Sequence, residues 1–222
     1  AMTSFRASIL SAAVLAFSLG GPLSAQEGIP DLRWDPGAED CTPDQRLTQS
    51  QAIDDTTIVI RKNPCVDYEA PLMYLLVGRE RALLIDSGAS DDTQVTAELT
   101  ELVGRYPAQA DGSRLPLVVA HTHGHQDHRG GDAAFAALPD TTVVPHEAEG
   151  LRQFFGLDTW PNDEARYDLG GREIVVSPMP GHHPDHVVFL DIRTRLLFTG
   201  DFYLPGRLLV DDIDAYRDSA MR

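Results

Sequence analysis

Apolar residues fall in short clusters along most of this chain. Residues 57–61 (TIVIR), 73–77 (MYLLV) and 82–85 (ALLI) are β-rich runs separated by Pro and Gly, the pattern of short strands. Residues 91–106 differ. Val95, Leu99, Leu102 and Val103 recur there at helical spacing, with Asp91 or Asp92 placed as an N-cap. Residues 117–120 (LVVA) predict a buried strand. Beyond them the pattern predicts a short helix over 132–138, a strand over 141–144 and a helix over 147–155. Strands follow over 173–176, 187–190 and 196–198. A β-rich start followed by alternating strands and helices predicts a layered α/β fold with active residues on loops at strand ends. Residues 26–50 are polar, contain Pro and Gly, and have Trp34 as their largest apolar side chain. They read as an extended N-terminal arm.

The first 25 residues follow another rule. Arg6 is their only charged side chain, residues 9–19 are an apolar run, and Gly20, Gly21 and Pro22 precede a small-residue end at Ala25. This is the layout of a secretory signal peptide over 1–25, with a membrane-anchoring helix as the alternative. The run is shorter than the roughly 20 residues of a membrane span, and no later stretch could span one, so the mature chain is expected in the periplasm or outside the cell. Cys41 and Cys65 are the only cysteines. An oxidising compartment favours a disulfide between them, worth on the order of 3 kcal/mol; two free thiols are the alternative. The formal net charge is −16, and removing Arg6 with the leader gives −16 − 1 = −17. Such a surface repels phosphate backbones, which argues against nucleic acid as a partner and leaves a small-molecule substrate.

The candidate chemistry lies in residues 121–128, His-Thr-His-Gly-His-Gln-Asp-His, which hold half of the eight histidines. His123 and His125 are two apart, so an extended segment points both to one side. Asp127 and His128 are adjacent and address a second point if the chain turns. Two imidazoles for one ion, and a carboxylate plus an imidazole for another, suit zinc-like metals. Gly124, Gly130 and Gly131 permit tight turns. Adventitious surface metal binding is the alternative for any His-rich stretch. The ordered Asp and the apolar strand leading in count against it.

His123-x-His125-x-Asp127-His128, followed by Gly130-Gly131, resembles the HxHxDH signature of the metallo-β-lactamase superfamily. Residues 83–88 (LLIDSG), Pro180-Gly181-His182 and Thr199-Gly200-Asp201 are similar to three further family segments, in the family's order. The resemblance runs from about residue 56 to 214. It implies a four-layer αβ/βα sandwich over a domain 51–222. It implies a first metal on His123, His125 and His182, a second on Asp127 and His128, and Asp201 bridging them. Two zinc ions per chain are implied, with iron or manganese able to use the same donors. Asp127 and Asp201 take the catalytic roles of balancing metal charge and orienting the attacking water. Asp86 is the residue that orients the ligand loop. The implied activity is hydrolysis of an ester, thioester, lactone or β-lactam. An iron-dependent sulfur dioxygenase and a non-catalytic metal-binding relative share these ligands and stand as alternatives. The ligand set is more similar to that of glyoxalase II and the lactonases than to that of the Cys-ligand β-lactamases.

The family normally adds one more His well after the bridging Asp. Only 21 residues follow Asp201 and none is His. The chain is therefore expected to be incomplete at its C-terminus or to bind the second metal weakly, with 211–220 starting the helix that precedes the missing ligand. His121 is read as a supporting or substrate-facing residue, His186 as a structural hydrogen-bonding group, His183 as exposed and His146 as a strand-end histidine. Tyr203 either packs or binds a substrate oxyanion.

Overall fold

The computed structural model describes residues 30–37, 40–106, 113–204 and 206–222. The segment read as a signal peptide lies outside these residues. Residues 31–222 form one compact unit.

Six strands make the first sheet, in sequence order: β1 (Thr48–Asp54), β2 (Thr57–Lys62), β3 (Leu72–Val77), β4 (Ala82–Ile85), β5 (Leu117–Ala120) and β6 (Thr141–Val143). The first four pair antiparallel, whereas β4–β5 and β5–β6 are parallel. Helix α1 (Thr93–Val103) makes the β4–β5 crossover. The short α2 (Gln126–Arg129) and α3 (Asp132–Ala136) make the next. After α4 (Ala148–Phe155), strands β7 (Ala165–Asp168), β8 (Glu173–Pro178), β9 (Val187–Asp191) and β10 (Leu196–Phe198) form a second, antiparallel sheet in the order β10-β9-β8-β7. Helix α5 (Ile213–Ala220) closes the described chain.

The layers follow from side-chain alternation. Leu83 and Ile85 of β4 and Val118 and Ala120 of β5 face the second sheet, where they meet Ile174, Val176, Val187 and Phe189. Their neighbours Leu84 and Val119 face the other way, against Leu99 and Val103 of α1 and Phe135 of α3. Strands buried on both faces read as unbroken apolar runs, which is why 82–85 and 117–120 stand out in the sequence. The result is an α/β sandwich of two sheets with helices on the outer face of the first. Val175 and Val188, whose neighbours face the first sheet, line a surface groove on the second with Ser177, Leu197 and Arg222.

Two strands are not visible as apolar runs. β1 (TQSQAID) is polar, and its place is set by pairing with β2 and by Glu98 of α1, which accepts bonds from Leu47 N, Thr48 N and Thr48 Oγ1. The arm therefore gives way to a strand at Thr48 instead of running through residue 50. β7 (ARYD) pairs with β8 and buries only Ala165 within its own length. Asp92 caps α1 through bonds from Gln94 N and Val95 N. Cys41 and Cys65 are joined in a disulfide, tying the arm to the β2–β3 connection.

Away from the histidines, a buried ion pair locks the sheets together. Arg172 donates to Asp191 Oδ2 at 2.7 Å, to Thr57 Oγ1 at 2.7 Å and to the Thr56 carbonyl at 2.6 Å. Both charged side chains are buried. Removing one partner of such a pair strands the other charge without water. Arg172→Ala is therefore expected to lower unfolding stability by about 3–5 kcal/mol, measured by urea denaturation. A loss below about 1 kcal/mol, the size of an exposed pair, would contradict this account.

Candidate metal centre

Three loop clusters meet at one end of the two sheets. Strands β4 and β5 end in register, Ile85 opposite Ala120. Asp86 and the histidine segment therefore leave the sheet side by side, the usual place for a site in parallel α/β structure. The second sheet contributes residues 180–186 between β8 and β9 and Thr199-Gly200-Asp201 after β10. A bond from Val187 N to the Thr122 carbonyl, 2.8 Å, ties the sheet ends together. Gly200 lies in the left-handed region at φ 48°, and a Cβ on it would stand 2.5 Å from Thr122 Oγ1. Only glycine lets the Asp201 loop approach that closely.

The ring nitrogens converge. His123 Nε2 and His125 Nδ1 are 2.9 Å apart, and His182 Nε2 is 3.2 Å from each. Beside them His128 Nε2 lies 3.2 Å from Asp127 Oδ2 and 3.4 Å from Asp201 Oδ1. Asp201 Oδ2 also reaches to within 3.8 Å of His182 Nε2. Asp201 thus stands between the two groups.

The far side of each ring fixes what these nitrogens carry. His128 Nδ1 donates to Asp86 Oδ2 at 2.8 Å. His182 Nδ1 donates to the Leu209 carbonyl at 2.7 Å. His123 Nδ1 contacts Thr122 Oγ1 at 3.1 Å, and that hydroxyl in turn donates to Asp86. A neutral imidazole has one N–H, so the inward nitrogens of His123, His128 and His182 carry lone pairs. His123 Nε2 and His182 Nε2 then face each other with no proton between them. His128 Nε2 is buried, has no hydrogen-bond partner, and faces two carboxylates. The first arrangement is repulsive unless a cation sits among the donors, and the second unless His128 Nε2 meets a cation or takes up a proton. Nitrogens on a tetrahedral zinc stand about 3.3 Å apart, given Zn–N near 2.0–2.1 Å, and the spacing here fits. The sets that could hold an ion are His123, His125 and His182, and His123, His128 and Asp201, with Asp127 beside His128.

Electrostatics point the same way. Burial, helped by neighbouring rings, pushes His123 far below the ordinary imidazole range, so it stays neutral. Burial also works against a charge on His128. The carboxylates of Asp86, Asp127 and Asp201 overcome it, so without an ion this ring takes up a proton. Burial would raise Asp127 and Asp201, yet contact with His128 holds both below the ordinary carboxylate value.

A family model described as "Metallo-beta-lactamase superfamily" matches residues 67–221. The chain belongs to the metallo-β-lactamase superfamily. It is 36% identical over 128 residues to a hydroxyacylglutathione hydrolase of Anaeromyxobacter dehalogenans, covering 58% of this chain and 44% of that protein. It is 28% identical over 170 residues to a human acyl-coenzyme A thioesterase, covering 62% and 60%. The chain spans about half the length of the curated relatives it matches. Among solved structures, a metallo-β-lactamase from Pontibacter korlensis aligns with a TM-score of 0.56 at 19% identity, over 79% of this chain and 84% of that one. That likeness shows the superfamily's fold.

Other residues fall where the sequence only partly indicated. His121 lies in the interior. Its ring is buried and its Nε2 donates to Asp132 Oδ1 at 2.8 Å. His186 stacks on His123 at 4.9 Å and donates to the Thr199 carbonyl, and burial lowers its pKa to about 3. His183 is half-buried, not exposed, with its ring 5.0 Å from that of His125. His146 follows β6 and lies against Gly124. Tyr203 is 73% exposed, which excludes a packing role. Thr122 is the site residue that the pattern of ligand types does not single out.

Asp86 holds this arrangement in tension. Its φ is 65°, a left-handed conformation costly for a non-glycine residue. It accepts from Thr122 N at 2.7 Å, from Thr122 Oγ1 and from His128 Nδ1. Asp86→Asn places an amide donor against His128 Nδ1 and drives the ring's proton to the inward nitrogen. Metal affinity is expected to fall about 10–100-fold, read by competition with a chromophoric chelator. An unchanged affinity would show that Asp86 does not set the tautomer.

Proposed function

We propose that this chain is a zinc-dependent hydrolase acting on a thioester or related activated acyl carbonyl. The observation that carries the reading is the convergence of the ring nitrogens of His123, His125 and His182 beside the Asp127–His128–Asp201 group. The relatives support the substrate class, since one is named a hydroxyacylglutathione hydrolase and another an acyl-coenzyme A thioesterase. Esters, lactones and β-lactams present the same electrophile.

His123, His125 and His182 would hold one ion, Asp127 and His128 the second, and Asp201 would lie between them. Bound there, the ions would supply Lewis acidity toward the carbonyl and a water acidified to near neutral pKa. The protein does the rest. Asp127 and Asp201 stay ionised and balance the positive charge. Asp86 keeps the proton of His128 on Nδ1, so that Nε2 remains a donor to the ion. Leu209, whose carbonyl holds His182, has an exposed side chain, as does Tyr203 two residues beyond Asp201. These two would meet the acyl part of the substrate at the rim. Iron or manganese could occupy the same donors, and elemental analysis decides among them.

The leader-like residues 1–25 and the Cys41–Cys65 bridge support a periplasmic or secreted location. No helix among the described residues is long and apolar enough to cross a membrane.

The test is turnover of a thioester, ester, lactone and β-lactam panel by zinc-loaded protein, before and after chelation. Chelation and His123→Ala should each lower kcat/KM on the order of a thousandfold, the size of the Lewis-acid contribution. Turnover that survives chelation, or none on any substrate by loaded protein, would overturn the proposal.

A further inference from the structure

A buried polar chain beneath the second pocket has no part in the scheme above. His121 Nε2 donates to Asp132 Oδ1 at 2.8 Å, and Ser87 Oγ donates to the same oxygen at 2.7 Å. Ser87 N donates to the backbone carbonyl of His128 at 2.8 Å. His121 and Ser87 are buried, and His121 Nδ1 has no hydrogen-bond partner. An ordinary core position would favour an apolar residue over a ring with one nitrogen unsatisfied.

Ser87 directly follows Asp86, which holds the His128 ring. Residues 86 and 87 therefore grip His128 at both ends, ring and carbonyl. Asp132 and His121 hold Ser87 from below. A second lacing runs alongside, with Gly130 N donating to the Gly88 carbonyl at 2.6 Å. The rings of His125 and His182 lie outside this chain of contacts, and His123 meets it only through the Thr122 hydroxyl. His182 is instead held by the Leu209 carbonyl.

We infer that His121, Asp132 and Ser87 form a positioning relay for His128, which sets zinc affinity in the Asp127–His128 pocket and touches the His123–His125–His182 pocket only through the longer Asp86–Thr122–His123 path. The inference rests on the two-pocket reading above. His121 is a positioning residue, since it acts on His128 through Asp132 and Ser87.

Zinc titration of metal-free protein against a chromophoric chelator tests it. Wild type should show two binding steps. His121→Ala should weaken the second step about 10–100-fold, the usual effect of losing an outer-shell partner, and weaken the first step far less. His121→Gln, whose amide nitrogen can take the place of Nε2, should restore most of the second step. Asp132→Ala should behave like His121→Ala. Its side chain is partly exposed, so it serves if the buried substitution prevents folding. A second step unchanged in both alanine variants would overturn the relay, as would equal weakening of both steps. A single step in wild type would overturn the two-pocket reading and the relay with it.

Discussion

The carboxylate of Asp86 is the contact on which the site depends. It accepts the Thr122 amide, contacts the Thr122 hydroxyl and takes the His128 ring proton, all from a left-handed backbone position. Through Thr122 it also reaches His123. A single buried anion thus decides on which side two imidazoles carry their lone pairs. The backbone strain it bears is offset by charge-assisted hydrogen bonds, stronger than neutral ones in a buried setting. Without it the rings could satisfy one another through N–H···N bonds, and the cluster would be a polar core instead of a cation cradle.

The fold exists to bring that carboxylate and three distant loops together. β4 and β5 run parallel and end in register, which places Asp86 against the histidine segment. The second sheet approaches face to face through a core of Leu83, Ile85, Val176 and Phe189. The buried Arg172–Asp191 pair and its Thr56 and Thr57 partners join the sheets elsewhere. Gly200 then lets Asp201 come down onto Thr122. None of these contacts ligates anything, yet each sets a distance in the site.

Much of this was legible in the sequence, for physical reasons. Strands buried on both faces must be apolar throughout, so 82–85 and 117–120 declare themselves. α1 shows its spacing because only one of its faces is buried. The cluster of candidate ligands at 123–128 was readable because four histidines and an aspartate crowd eight positions, whereas His182 and Asp201 entered only through the resemblance. β1 was not, since a polar edge strand carries no alternation and is placed by Glu98 and by pairing. β7 was not, since it fully buries only Ala165 and lends the core one side of Tyr167. The partner of His121 was hidden because Asp132 is supplied by a later helix, a contact that no local spacing encodes. Tyr203 could not be placed, because an aromatic residue beside a site motif reads equally as rim or core until its exposure is known.

Anomalous diffraction at the zinc edge, from crystals grown with zinc, tests the central claim most directly. The account predicts one peak within about 2.0–2.2 Å of His123 Nε2, His125 Nδ1 and His182 Nε2, and a second among Asp127, His128 and Asp201, with His128 Nδ1 still on Asp86. Rings bonded to one another with no peak between them, or a peak only at surface carboxylates, would contradict it.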